Sequence, residues 1–163
     1  MRLYLIGLPG VGKSTVGKEL AKQLGYLYID LDQYIEQQEM LFVDEIFMLY
    51  GEAYFRALES NCLIELSHQD NVVIACGGGI IKNEKNKNLM SGMVCYLTAP
   101  LEAIEDRLSS SSIVRPLLQT KKLKELFQER KASYETFADF IIENNMLEDT
   151  VKQIIDRLGE ANE

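Results

Sequence analysis

The sequence predicts an α/β domain built around a parallel β-sheet. Short apolar runs alternate with stretches of helical period, the mark left in sequence by strands joined through crossover helices. One run, Val72-Val73-Ile74-Ala75, is apolar without interruption, as expected of a strand covered on both faces. The length, 163 residues, is that of one domain, so residues 1–163 are read as a single unit with one site.

The elements follow in order. A first strand over residues 3–6 leads through a glycine-rich turn into a helix over 13–24. A second strand over 26–29 ends in Asp30-Leu31-Asp32. From 33 to 67 no strand pattern occurs, and Ile35, Ile46, Leu49, Phe55, Leu58, Leu63 and Leu66 fall at helical spacings, which predicts a helical insertion. The third strand, 72–75, stops at Gly77-Gly78-Gly79. A fourth is expected over 94–97, with Pro100 opening a helix over 101–108. Residues 109–119 begin with four serines that break the helical period and contain Arg115-Pro116; they read as a mobile lid loop. A polar helix over 121–137, a short fifth strand over 140–142 and a last helix over 147–158, ending near Gly159, complete the chain.

Composition narrows the function. With 47% hydrophobic and 26% charged residues the chain resembles ordinary soluble domains and is long enough for a real core, which excludes disorder throughout. The net charge of −8, without a basic patch, argues against nucleic acid and anionic membranes as partners. A small anionic substrate therefore needs a few arginines gathered at one place. The apolar start of the chain meets Gly7 too early for a signal peptide or a membrane span. A single histidine, His68, excludes histidine-rich zinc sites. Cys62, Cys76 and Cys95 lack CxxC spacing and read as buried, reduced thiols, consistent with a cytoplasmic protein.

Gly7-Leu8-Pro9-Gly10-Val11-Gly12-Lys13-Ser14 fits G-x-x-x-x-G-K-[ST] at every fixed position, between an expected strand and an expected helix, and Thr15 extends it. Gly10, Val11 and Gly12 allow backbone N–H groups to turn inward as an anion nest, and the following helix aims its positive end at the same place. Lys13 then supplies a charge for the β- and γ-phosphates, while the Ser14 hydroxyl suits a Mg²⁺ ion. A dinucleotide loop beginning at Gly10 would need glycine in place of Thr15. No guanine-reading segment follows a late strand, so ATP with Mg²⁺ is the expected cosubstrate.

A second strand lying beside the first would bring Asp30 and Asp32 to the rim that holds the phosphate loop. In extended chain, residues i and i+2 face one side, so one carboxylate could orient metal-bound water while the other meets an acceptor hydroxyl. Helix-capping aspartates are the plainer alternative. Arg56 lies in a helical stretch, Tyr54-Phe55-Arg56-Ala57-Leu58-Glu59, whose aromatic and leucine positions are expected to pack inward. Gly77-Gly78-Gly79, at a strand end, would let a ligand lie against bare backbone, although a simple turn also explains it. Arg107, Arg115 and Arg130 flank the lid loop or stand on the helix behind it.

Taken in order, these features closely resemble shikimate kinase: the phosphate loop, Asp30-x-Asp32, Phe55-Arg56-x-x-Glu59, Gly77-Gly78-Gly79, Arg115-Pro116-Leu117-Leu118, and Arg130 with Tyr134-Glu135. The resemblance spans nearly the whole chain. It implies a three-layer P-loop fold like that of nucleoside monophosphate kinases, with a five-stranded parallel sheet, a helical substrate-binding insertion and a closing lid. The implied reaction is transfer of the ATP γ-phosphoryl group to the 3-hydroxyl of shikimate, on the route to chorismate and the aromatic amino acids. Asp32 would then bind acceptor hydroxyls and act as base, and Asp30 would hold the Mg²⁺ shell. Arg56 and Arg130 would clamp the shikimate carboxylate, with the Gly78 and Gly79 backbone beside it. Arg115 would close onto the phosphates, and Arg107 would lie near adenine. The resemblance and the small size together suggest a monomer.

The chain departs from that pattern in places. Cys76 stands where Ser or Thr often precedes the glycines, the Arg-Thr pair is Arg107-Leu108, four serines alter the spacing to Arg115, and Glu143-Asn144-Asn145 offers no arginine to the base. Two other readings stay open. One is a kinase of the same architecture acting on gluconate or a nucleoside monophosphate; the other is an ATP-binding regulatory protein without catalysis. The second usually loses its base or its substrate clamp, and here Asp32 and Arg56 are both retained.

Overall fold

The five strands form one sheet because each short apolar run finds a parallel neighbour through a helical crossover. The structure, a computed structural model, describes residues 1–110 and 120–163. Strands β1 (Arg2–Ile6), β2 (Leu27–Asp30), β3 (Val72–Ala75), β4 (Met93–Thr98) and β5 (Phe140–Glu143) lie in the order β2-β3-β1-β4-β5, and all four pairings are parallel. Leu3 to Ile6 and Val72 to Ile74 are fully buried, so helices cover both faces of the sheet centre.

The helices are α1 (Lys13–Leu24), α2 (Leu31–Glu39), α3 (Val43–Tyr50), α4 (Glu52–Leu66), α5 (Asn86–Leu89), α6 (Leu101–Ser109), α7 (Thr120–Phe137) and α8 (Leu147–Glu160), with a 3₁₀ turn at Ile80–Lys82. Val16, Leu20 and Ala21 of α1 form one buried apolar face, and Val151, Ile154 and Leu158 of α8 form another at three- and four-residue spacing. Tyr134 of α7 lies against Tyr96 of β4, ring centroids 5.0 Å apart. Three helices, α2 to α4, make up the insertion expected over 33–67.

Most predicted elements match within two residues, and four points differ. β2 does not neighbour β1, because the chain returning from the insertion places β3 between them. Since every pair is parallel, the C-terminal ends of β1 and β2 still share one rim. The helix after β2 starts at Leu31, so Asp32 is helical rather than extended. Tyr54 is 39% exposed, so of the expected inward aromatics only Phe55 packs inward in that stretch. The 3₁₀ turn and α5 carry no periodic pattern long enough to read. Most of the expected lid loop, with Arg115, lies outside the described residues. Among the described residues no helix is long and apolar enough to cross a membrane.

Candidate active site

The phosphate loop bridges the end of β1 and the start of α1. Gly10 and Gly12 take φ of 82° and 104°, a left-handed conformation that side-chain-bearing residues rarely adopt, and this is what turns the loop. Lys13 Nζ folds back and donates to the Gly7 and Leu8 carbonyls at 2.7 and 3.0 Å, which holds its charge over the loop mouth. Ser14 and Thr15 are exposed on the first turn of α1.

Asp30 and Asp32 have different tasks. Asp30 caps α2: its Oδ1 accepts from Gln33 N at 3.0 Å, while its Oδ2 accepts from Ser14 Oγ at 3.5 Å. The expected extended pair with both carboxylates on one side is therefore corrected. A cap satisfies the first-turn N–H groups and starts the helix at once, and residues two apart in a helix do not face the same way. Asp32 turns instead to the end of β3, where a Cβ on Gly77 would sit 2.9 Å from its Oδ1. That oxygen is buried without a hydrogen-bond partner among the described residues. Burial, reinforced by the Asp30 charge and opposed by Lys13 and Arg56, pushes the Asp32 carboxyl above its ordinary range.

Three glycines form the floor. A Cβ on Gly77 would meet Asp32 and Glu59, one on Gly78 would lie 3.1 Å from Arg130 Nη1, and one on Gly79 would collide with the Arg56 guanidinium. The sequence thus needs bare backbone here because four charged side chains approach it, Asp32 from α2, Arg56 and Glu59 from α4, and Arg130 from α7. Tyr134, one turn beyond Arg130, donates from its hydroxyl to the Gly78 carbonyl at 2.6 Å and fixes that peptide. Burial pushes the Tyr134 phenol up to about 12, against the pull of Arg130, so it remains a neutral donor.

Arg56 is held from below. Its Nη1 donates to Glu59 Oε1 at 2.6 Å, its Nε to Glu52 Oε1 at 3.4 Å, and its guanidinium carbon lies 5.3 Å from the centroid of the Phe55 ring. The Glu59 side chain is 1% exposed and the Arg56 side chain 18%, so the carboxylate lies beneath and the cation reaches the surface of the site. Burial raises Glu59 to about 7 although Arg56 opposes the shift, and its Oε2 has no partner among the described residues. Glu59 and Tyr134 carry no site role in the sequence reading beyond their place in the motif. The i, i+3 spacing from Arg56 to Glu59 was the available signal.

Arg107 sits behind the phosphate loop, with Nη1 donating to Val11 O at 2.7 Å and to Gly10 O at 3.5 Å. Cys76 is buried, and its thiol sulfur lies 4.0 Å from the Ile74 carbonyl; burial pushes the thiol well up, so it is an inert filler. The structure therefore gathers Asp32, Arg56 and Arg130 at Gly77 to Gly79, with Lys13 and Asp30 near enough for their charges to act on Asp32 and with Ser14 bonded to Asp30.

A family model described as Shikimate kinase matches residues 9–159. The chain belongs to the shikimate kinase family. It is 40% identical over 162 residues to the shikimate kinase of Alkaliphilus oremlandii (strain OhILAs), covering 94% of this chain and 96% of that one. To the shikimate kinase of Lactococcus lactis subsp. lactis (strain IL1403) it is 41% identical, covering 98% and 97%. Among solved structures, shikimate kinase from Acinetobacter baumannii in complex with shikimate aligns with a TM-score of 0.90 at 34% identity, over 98% of this chain and 93% of that one. Shikimate kinase from Aquifex aeolicus vf5 aligns with a TM-score of 0.86 at 38% identity, over 99% and 98%. As a shikimate kinase family member the chain is a kinase, and the phosphate loop is the part of the site that such chemistry requires first.

Proposed function

We propose that the chain transfers the γ-phosphoryl group of ATP to the 3-hydroxyl of shikimate, giving shikimate 3-phosphate and ADP. The observation that carries the reading is the meeting of Asp32, Arg56 and Arg130 over Gly77 to Gly79, on the rim that also bears the phosphate loop. Shikimate pairs one carboxylate with several hydroxyls, and this floor pairs two guanidiniums with one carboxylate. Planar guanidinium forks suit the carboxylate, while Asp32 suits a hydroxyl.

In the reaction the acceptor oxygen attacks the γ-phosphorus, the bond to the β–γ bridging oxygen breaks, and ADP leaves. Asp32 accepts the hydroxyl proton; its raised pKa makes it a stronger base than an exposed aspartate. Gly10, Val11, Gly12, Lys13, Ser14 and Thr15 bind the phosphates through the loop backbone, the Lys13 charge and the first turn of α1. Gly78 and Gly79 present backbone to the ring, and in this reading Arg107, tied to the loop through the Val11 carbonyl, extends toward adenine. Ser14 and Asp30 fit Mg²⁺: their facing hydroxyl and carboxylate oxygens are hard donors, as suits an ion shared with phosphates. Bound there, Mg²⁺ would neutralise phosphate charge. Arg115 and the rest of residues 109–119 act in this reading as the lid that excludes water, and residues 33–67 as the acceptor-binding insertion. We read residues 1–163 as one catalytic unit, monomeric and cytoplasmic; the three buried free cysteines support the last point.

The product tests the assignment. Phosphorus–proton coupling in the NMR spectrum of the product should place a single phosphomonoester on the 3-hydroxyl. A phosphate on another hydroxyl, or inorganic phosphate alone, would reject it.

A further inference from the structure

The carbonyl of Val11 takes two donors from far along the chain: Arg107 Nη1 of α6 at 2.7 Å and Asn144 Nδ2, just after β5, at 2.9 Å. We infer that Asn144 is a positioning residue for phosphate binding, fixing the Val11–Gly12 peptide so that its N–H faces the nucleotide phosphates. This deepens the kinase reading and rests on it.

The argument is one of peptide geometry. The Val11 C=O and the Gly12 N–H belong to one trans peptide and point to opposite sides, so holding the carbonyl outward holds the N–H inward. Without a clamp this peptide turns easily, because Gly12 carries no Cβ and tolerates either orientation. A turned peptide would aim a carbonyl oxygen at the phosphates and take one donor out of the nest. The Asn144 amide occupies the space where a Cβ on Gly12 would project, so the close approach depends on glycine there. Asn144 cannot rotate away at no cost. It is 6% exposed, its backbone N–H donates to Thr98 O at 2.7 Å, and its Oδ1 accepts from the buried Thr150 hydroxyl at 3.0 Å. Thr150, in the first turn of α8, thus selects the amide orientation that presents Nδ2 to Val11. Arg107 fills the second lone pair of the carbonyl, so the two donors together saturate it.

Two uncharged variants test this, with affinities measured by calorimetry for ADP, inorganic tripolyphosphate and shikimate. Asn144→Leu removes the donor, and Thr150→Val removes only the hydroxyl that orients it. The expected result is that Asn144→Leu weakens ADP and tripolyphosphate by the same factor, about tenfold, the worth of one hydrogen bond in a polar site. Thr150→Val should weaken both about threefold and carries the test alone if the leucine variant does not fold. Shikimate affinity should stay within twofold in either variant. Unchanged tripolyphosphate affinity overturns the inference, including the case where only ADP weakens, which would put Asn144 on the base. Parallel loss of shikimate affinity overturns it in favour of a general structural role. A parent chain that binds neither ADP nor tripolyphosphate overturns the nucleotide reading itself, which is a distinct result from variants that match a binding parent.

Discussion

Arg56 and Glu59 form a 2.6 Å ion pair in which the carboxylate is buried and the guanidinium reaches the floor of the site. The pair couples substrate recognition to a group whose own ionisation is perturbed. Burial raises Glu59 from 4.5 to about 7, so between those values the folded chain binds a proton that the unfolded chain has released. Stability contributed by that proton is fully present below about 4.5 and is lost as pH rises through 7. Asp32, raised in the same direction, adds to the slope. Glu59→Gln should flatten the fall in unfolding free energy across this window by up to about 1.4 kcal/mol per pH unit, the linkage slope of one proton. Equal slopes in chemical denaturation of parent and variant would show that Glu59 does not titrate there.

Gly79→Ala should separate binding from folding. The backbone at Gly79, φ −94°, accepts alanine without strain, but the new methyl would push against the Arg56 guanidinium. Displacing one charge-assisted contact to a carboxylate predicts a shikimate affinity lower by about tenfold, with ADP affinity unchanged and little loss of thermal stability. Arg56→Lys, which keeps the charge and loses the fork, should move the same readouts in the same direction. Calorimetric titration with each ligand checks both, and equal loss of ADP and shikimate affinity would indicate damage to the fold.

Asp32→Asn should cut turnover by about 10²–10⁴-fold while leaving ADP affinity nearly intact, since a proton acceptor is removed and the phosphate loop is untouched. The variant should be no less stable than the parent at neutral pH, because a buried, unpartnered carboxylate oxygen is replaced by a neutral group. Parent-like turnover in a steady-state assay would remove Asp32 from the mechanism.

Tyr134→Phe leaves the Gly78 carbonyl without its donor and should lower stability by about 1 kcal/mol and raise the KM for shikimate a few-fold. With the phenol pushed up to about 12, the difference should be constant from pH 6 to 9. A difference that varies across that range would contradict a neutral donor.

Much of this site was legible because its chemistry is local in sequence. The phosphate loop needs consecutive residues, and its glycines, Lys13 and Ser14 declare both conformation and ligand. The triple glycine marked a bare floor, although the four side chains that require it come from three helices and were visible only as motifs. A capping carboxylate and an extended pair share one sequence pattern at Asp30 and Asp32, and the Gln33 N–H bonded to Asp30 decides for the cap. Strand order escaped for a different reason: β2 begins with an exposed Leu27 and its other residues are only half-buried, and its place beside β3 depends on the path of the insertion. Asn144 gave no signal at all, because its role exists only through a carbonyl 133 residues away.

The central claim is the acceptor. ADP release from Mg-ATP should be measured with shikimate, gluconate and nucleoside monophosphates offered separately beside a control with no acceptor. The account predicts stimulation by shikimate alone. Stimulation by another acceptor, or by none while ADP still binds, would contradict it.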